Sequence, residues 1–192
     1  MAPQARSAGA PGPYRWKDFL SLHEDDLREL IDGHLLELEV PTKIHEWIVT
    51  ILVTMLTNWA LPRSAGLALV SGYKVRIRHD RGVMPDVQFF RRGGRPLPDQ
   101  GLHRGAPDLA VEVVSPSSKR WDRVVKLEWY GAIGTNEYWI VDPTERTLER
   151  YLRGHDGALQ LASQHANDER FAPDTFPELE IELARLWTMP EV

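Results

Sequence analysis

The sequence of 192 residues contains no cysteine. This absence excludes disulfides, cysteine-ligated zinc, iron–sulfur clusters and a cysteine nucleophile, and it is compatible with a reducing compartment. A metal ion bound by this chain would therefore need oxygen or imidazole ligands. The sequence also shows no apolar run of the length that crosses a bilayer and no secretory signal, so we expect a cytoplasmic protein without a membrane partner.

The sequence also has fewer basic than acidic residues. The chain has 23 Lys and Arg residues against 28 Asp and Glu residues, which gives a net charge of -5. A protein that coats nucleic acid through bulk electrostatics needs a surplus of Lys and Arg, so this class is disfavoured, although a local basic patch is compatible with the charge. The hydrophobic fraction of 42% and the charged fraction of 27% are typical of a folded globular protein.

A single domain is predicted over residues 14–192, after a flexible tail at residues 1–13 that is rich in Ala, Pro and Gly. Apolar residues at helical spacing predict a helix over residues 42–61 with Thr42 as its N-cap, and a second helix over residues 119–134 ends at Gly134. The Asp32-Gly33 pair predicts a hairpin turn. A short helix is expected within residues 14–26, and the remaining extended segments are residues 67–78, 84–90, 107–114, 137–143, 147–153, 158–164 and part of 178–187. This order predicts a mixed α/β or α+β fold, with a central sheet flanked by at least two helices.

A carboxylate interrupts the apolar segment of residues 107–114. Because side chains alternate along a strand, Glu112 is predicted to share one side with Ala110 and Val114. A buried carboxylate is costly unless a cation or several donors compensate it, so we expect a positive group opposite Glu112. The alternative is an edge strand on which Glu112 faces water.

Asp86 supplies a second carboxylate, at the start of the preceding extended segment. If the two strands are neighbours, Asp86 and Glu112 converge within reach of one cation, and such an oxygen-rich site suits Mg²⁺ or Mn²⁺. The alternative is that Asp86 caps its strand or faces solvent. Asp108 lies roughly 13 Å from Glu112 at about 3.3 Å per residue, so we expect it to cap the strand instead.

Three side chains of the helix predicted after this strand, Asp122, Lys126 and Tyr130, recur every four positions and so share one face. The ammonium of Lys126, held beside a metal, could orient a water molecule and stabilise negative charge on a phosphate oxygen. The alternative is a surface salt bridge between Lys126 and Asp122. The nearby aromatic side chains are interpreted as packing rather than as base-stacking platforms: Tyr130, Tyr138 and Trp139.

Taken in order, the segments "PDV", "PDLAVEVVSPSS" and "DRVVKLEWYGAIGTNEYWIVDP" resemble the Uma-type family of restriction-endonuclease-like proteins, a branch of the PD-(D/E)xK nuclease superfamily. The segment "RELIDGHLLEL" and the helix start at His45 also match, so the resemblance covers the chain from about Tyr14 onward. In the superfamily a lysine stands two places after the Glu, where this sequence has Val114. In the Uma-type branch the lysine has moved to the following helix, where Lys126 stands.

The resemblance implies a restriction-endonuclease-like fold and an endonuclease that uses Mg²⁺, or alternatively Mn²⁺, to hydrolyse phosphodiester bonds of DNA. It implies Asp86 and Glu112 as metal ligands, Lys126 as the catalytic lysine and Glu29 as a further acidic member of the site. His45 matches a histidine that is typical at this helix start, without an assigned role. By analogy with the superfamily, the resemblance also implies a homodimer.

Two other functions stay open from the sequence alone. Val114 in place of the superfamily lysine and the acidic net charge favour a catalytically silent nuclease-fold protein that binds nucleic acid or regulates a partner. Since the same metal chemistry does not demand DNA, a hydrolase of another phosphoester is the third function. One arginine-bearing loop is interpreted either as a phosphate-contacting surface or as a solvated loop: Arg91, Arg92, Arg95 and Arg104.

Overall fold

The structure is a computed structural model that describes residues 12–23, 26–37, 40–94, 96–115 and 118–191. Most of the predicted tail, residues 1–11, lies outside the described residues, as does Arg95 of the arginine-bearing loop.

In the described residues, the β-structure consists of two sheets and one short strand pair. The strands, in chain order, are β1 (Glu29–Ile31), β2 (His34–Leu36), β3 (Gly66–Val70), β4 (Val75–Arg78), β5 (Arg81–Val83), β6 (Val87–Arg91), β7 (Leu109–Val113), β8 (Glu137–Asp142), β9 (Thr147–Arg153), β10 (Leu159–Ala166), β11 (Arg170–Phe171) and β12 (Ile181–Glu182). The central six-stranded sheet has the order β10-β9-β8-β7-β6-β3, and the four-stranded sheet has the order β2-β1-β5-β4. In the central sheet β7 and β8 run parallel and the other neighbours antiparallel, so the sheet is mixed.

The helices are α1 (Trp16–Leu20), α2 (Lys43–Arg63), α3 (Leu127–Ile133) and α4 (Ala184–Trp187), and a π-helical segment, Trp121–Lys126, leads directly into α3. The predicted N-cap is confirmed, because the Thr42 side chain accepts a hydrogen bond from the backbone N–H of His45. The predicted end of the second helix is also confirmed, since Gly134 takes a left-handed conformation with a φ of 102°.

The two faces of the central sheet are covered by different helices. Alternate residues of β7 divide accordingly: Leu109, Val111 and Val113 pack with α2, whereas Ala110 packs with α3. The observed fold is therefore the predicted mixed α and β architecture, with a central sheet between helices. Glu112, which follows the same alternation as Ala110, belongs to the α3 side.

Helix α2 has 21 residues, and an 18-residue stretch of it has a mean hydropathy of 1.3, which is enough to cross a membrane by length and composition alone. It is thus an exception to the expectation that no apolar segment has that length. In this fold α2 is a core helix, because Ile48, Leu52 and Leu56 are fully buried. Thr50 and Thr54 lie on its exposed side.

The segment of residues 67–78, predicted as one extended stretch, is divided between the two sheets. Strand β3 forms an edge of the central sheet, and β4 forms an edge of the smaller one. Strand β5, which follows β4, was not predicted. It carries Gly82, where a Cβ atom would lie 2.8 Å from the ring of Phe19, so this close approach of α1 requires glycine.

Candidate active site

Glu112 lies in the interior of the central sheet. Its strand, β7, has β6 on one side and β8 on the other, and the residue is only 4% exposed. The alternative of an edge-strand carboxylate facing water is therefore wrong. The expected positive group lies opposite it, because the Nζ atom of Lys126 is 3.0 Å from Glu112 Oε1.

Asp86 lies directly before β6, which pairs with β7 in the register Val87↔Val111. Because the two strands are antiparallel, this register places Asp86 beside the end of β7 that carries Glu112. The Asp86 Oδ2 atom accepts a hydrogen bond of 2.7 Å from the backbone N–H of Val113 and lies 3.2 Å from Nε2 of His45. The two strands are thus neighbours, as the convergence of the two carboxylates requires.

The helix after β7 supplies the remaining groups on this side of the sheet. Lys126 is 3% exposed, so the alternative of a surface salt bridge is wrong, although its Nζ does lie 3.7 Å from Asp122 Oδ1. One turn later, the hydroxyl of Tyr130 donates a hydrogen bond of 2.6 Å to Glu112 Oε1. Asp122 and Lys126 both belong to the π-helical segment, a local geometry that is frequent at functional sites.

Glu29 reaches the same place from β1 of the smaller sheet. Its Oε1 atom lies 3.2 Å from Lys126 Nζ and accepts a hydrogen bond of 3.1 Å from the backbone N–H of Met84. Its Oε2 atom is buried, and no described residue forms a hydrogen bond with it. Three carboxylates, those of Glu29, Glu112 and Asp122, therefore contact one ammonium, and Asp86 is close enough for its charge to raise the pKa of Lys126. We call these four residues the carboxylate cluster.

The carboxylate cluster carries more negative charge than its described partners balance. Burial raises the pKa of Glu112 well above its ordinary value, and burial likewise raises the pKa values of Glu29 and Asp122, while Lys126 counteracts each of these shifts. Burial by itself lowers the pKa of Lys126, but the surrounding carboxylates raise it well above its ordinary value. The ammonium therefore stays charged at neutral pH, and a further cation would relieve the surplus.

The carboxylate cluster opens onto a cavity of about 1340 Å³. Asp86, Glu112 and Asp122 line this cavity together with Lys126 and His45, whereas Glu29 is not among its lining residues. Although burial lowers the pKa of His45, the Asp86 carboxylate raises it above its ordinary value. Three members of the carboxylate cluster, the Lys126 ammonium and the His45 imidazole therefore line a single cavity.

Comparison with known proteins identifies the family. The family model Uma2, described as "putative restriction endonuclease", matches residues 16–184, which is most of the chain. The chain belongs to the Uma2 family. This finding confirms the family that the sequence motifs resemble, and it supports a nuclease.

A solved structure shows the same fold as this Uma2 chain. It is the crystal structure of a "putative nuclease belonging to DUF820" from Anabaena variabilis ATCC 29413, with a TM-score of 0.74 and 21% sequence identity over 91% of this chain and 98% of that chain. At this identity the likeness establishes the fold alone. No curated protein matches the chain.

The donor atoms of the Uma2 site fit a hard divalent cation. Among the described residues, no donor contacts Asp86 Oδ1 or Glu112 Oε2, so each carboxylate keeps one oxygen available beside the cavity. Carboxylate oxygens are the ligands that Mg²⁺ and Mn²⁺ prefer. The described residues contain no group of three or more His, Asp or Glu side chains arranged around a single metal position. Lys126 explains this, because its ammonium occupies the space between Glu29, Glu112 and Asp122.

The other residues singled out by sequence lie elsewhere. Asp108 directly precedes β7, and its carboxylate accepts a hydrogen bond from the backbone N–H of Arg91, the last residue of the neighbouring β6. Val114, at the superfamily lysine position, is buried in the core. The described arginines of the arginine-bearing loop are not among the residues that line the cavity: Arg91, Arg92 and Arg104.

Two contacts of the Uma2 site are not predicted from the sequence. The prediction of core packing is correct for the ring of Tyr130, but the hydroxyl donates a hydrogen bond to Glu112. His45 has no predicted role, whereas its imidazole lies against Asp86. The spacing of Asp122, Lys126 and Tyr130 does indicate the contact between Tyr130 and Glu112. A helix face that places Lys126 beside Glu112 also places the residue one turn later, Tyr130, on the same side.

Proposed function

We propose that the protein is a metal-dependent endonuclease that hydrolyses phosphodiester bonds of DNA. The observation that carries this proposal is the excess of buried carboxylates around Lys126, at a cavity where Asp86 and Glu112 each keep an oxygen free of described donors. Membership of the Uma2 family supports the nuclease class. The ion is Mg²⁺ or Mn²⁺, because the ligand set is made of carboxylate oxygens.

Asp86 and Glu112 would hold the ion in this proposal. When bound, the ion supplies a Lewis acid that polarises a phosphate oxygen and lowers the pKa of a water molecule. Asp86 is held through its Oδ2 atom, which accepts a hydrogen bond from Val113 N–H and contacts His45. Its Oδ1 atom therefore remains available as a metal ligand. Glu29 and Asp122 act on Lys126 rather than on the ion.

Lys126 acts as a charged donor and not as a base. Its surrounding carboxylates raise its pKa well above the ordinary value, so the Nζ atom keeps its proton at neutral pH. From there it holds Glu112 in place, and it can orient a nucleophilic water or stabilise negative charge on a phosphate oxygen. This role does not need a lysine at position 114, where the buried Val114 packs in the core.

The proposal also includes a homodimer in the cytoplasm. The homodimer is argued from analogy with the superfamily, and the cytoplasmic location stays a prediction. Sedimentation velocity of the purified protein measures the oligomeric state, and a monomer at micromolar concentration would contradict the dimer.

Cleavage of plasmid DNA tests the activity. We expect the wild-type protein to cut the plasmid with Mg²⁺ or Mn²⁺ and not with EDTA. Replacing the metal ligand in Glu112→Gln should lower the rate by at least about 100-fold. Glu128→Gln is the matched control, because it makes the same chemical change on an exposed position of α3.

Three outcomes of this assay differ in meaning. Cleavage that persists unchanged in Glu112→Gln, and that follows the protein through a further purification step so that a contaminating nuclease is excluded, would refute the proposed site. Folded wild-type protein that binds DNA without cutting it, with either ion, would favour the catalytically silent nuclease-fold protein. Cleavage of a generic phosphodiester substrate but not of DNA would favour a hydrolase of another phosphoester.

A further inference from the structure

The two oxygens of the Glu112 carboxylate have unequal surroundings. Oε1 accepts a hydrogen bond of 2.6 Å from the Tyr130 hydroxyl and lies 3.0 Å from the Lys126 ammonium. No described residue donates to Oε2. A carboxylate oxygen has two lone pairs, so these two donors occupy the hydrogen-bonding capacity of Oε1.

Tyr130 is held where its hydroxyl has little freedom to move. The residue is fully buried, and its ring packs against the ring of Tyr138 with centroids 5.0 Å apart. Its backbone belongs to α3, one turn after Lys126, so the helix fixes the two donors relative to each other.

We propose that Tyr130 is a positioning residue that, together with Lys126, binds Oε1 of Glu112 and thereby assigns Oε2 to the divalent cation. This inference rests on the proposed function, since it concerns the metal ligand of the same site. Without the phenol, the Lys126 ammonium could pair with either oxygen, and the carboxylate could rotate about its last bond. Ion binding would then have to restrict the Glu112 carboxylate to one orientation, and this loss of freedom weakens the affinity for the ion.

The test measures metal binding directly, in addition to activity. Mn²⁺ is titrated into the purified wild-type protein and into Tyr130→Phe by isothermal titration calorimetry. Removing a partner that orients a metal ligand typically costs 10- to 100-fold in metal affinity, so we expect a loss of about that size. In cleavage assays the Mn²⁺ concentration for half-maximal rate should rise by the same factor, while the KM for DNA stays unchanged.

Tyr151→Phe is the matched control. The Tyr151 hydroxyl also donates a hydrogen bond of 2.6 Å to a carboxylate, Glu149 Oε2, and neither residue is among those that line the cavity. This control removes the same kind of bond from a place without a proposed ligand, so we expect its Mn²⁺ affinity to equal that of the wild type. Thermal denaturation without metal measures the purely structural cost of each substitution.

The outcomes separate this inference from the proposed function. If the wild type binds Mn²⁺ and Tyr130→Phe binds it equally well, the positioning role is overturned while the proposed function stands. If Tyr130→Phe and Tyr151→Phe lose the same affinity, the role is overturned as well. If the wild type binds no Mn²⁺, both the proposed function and this inference fall.

A crystal structure of the wild-type protein with Mn²⁺ decides the same question if Tyr130→Phe does not fold. We expect the ion on Glu112 Oε2, with Oε1 still hydrogen-bonded to the Tyr130 hydroxyl. An ion bound to Oε1, with the phenol displaced, overturns the inference.

Discussion

Two buried glutamates on neighbouring strands of the same sheet differ in how fully cations and hydrogen-bond donors balance their charge. Glu112 on β7 is 4% exposed and Glu137 on β8 is 2% exposed. Glu137 has a described donor for each oxygen: the Nε of Arg150 at 2.6 Å and the indole of Trp139 at 2.7 Å contact Oε1, and the Thr175 hydroxyl contacts Oε2. Glu112 shares the ammonium of Lys126 with two other buried carboxylates and keeps one oxygen without a described donor.

The difference separates a structural ion pair from a candidate binding site. Around Glu137, one buried guanidinium balances one buried carboxylate, and the second carboxylate bound by Arg150, that of Asp174, is 82% exposed. The carboxylate cluster is left with excess negative charge in a poorly solvated place, which is unfavourable for stability. A bound cation would balance this excess charge, whereas the ion pair of Glu137 needs no further cation.

The largest expected effect comes from breaking the balanced pair. Arg150→Met leaves the buried Glu137 without its counter-charge, and loss of one partner of a buried ion pair typically destabilises a protein by about 3–5 kcal/mol. Urea unfolding followed by tryptophan fluorescence measures this change. Arg170→Met is the control, because Arg170 pairs with Glu180 on the exposed surface and such pairs contribute little. Equal stability of the two variants would contradict the structural role of the Glu137 pair.

A divalent cation should produce the next largest effect, and only at the carboxylate cluster. Binding to the folded state alone stabilises a protein by about 2.7 kcal/mol when the free ion is at about 100 times its Kd. We expect Mn²⁺ to raise the unfolding free energy of the wild type and to leave that of Glu112→Gln unchanged. The same addition should stabilise Tyr151→Phe as much as the wild type. Equal stabilisation of Glu112→Gln would place the ion elsewhere.

The sequence predicts the local parts of both sheets and of the site. Strand alternation predicted the side on which Glu112 lies, and helical spacing predicted that Asp122, Lys126 and Tyr130 share a face. The hairpin at Asp32 was predictable because its central residues need positive φ, and Asp32 has a φ of 49°. These predictions succeed because each depends on a few consecutive residues.

The parts that could not be predicted depend on contacts between distant segments. Residues 67–78 look like one extended stretch, and no local pattern indicates that β3 and β4 join different sheets. Strand β5 has three residues, and Gly82 lowers its strand propensity, although the close approach of α1 requires it. The resemblance to the family suggested Glu29 as a member of the site, but its contact with Lys126 follows from how the two sheets pack.

The smallest expected effect is a difference in pH dependence between the wild type and Glu112→Gln without metal. Burial raises the pKa of Glu112 well above its ordinary value of 4.5, so the folded state binds this proton more tightly than the unfolded state does. The resulting stabilisation is present below pH 4.5 and is lost as the pH rises through the raised pKa of the folded state. Glutamine lacks this titration. As the pH rises from 4.5, the unfolding free energy of the variant should therefore increase relative to that of the wild type. Parallel pH profiles from urea unfolding would mean that Glu112 is as well balanced as Glu137, and the contrast between the two glutamates would disappear.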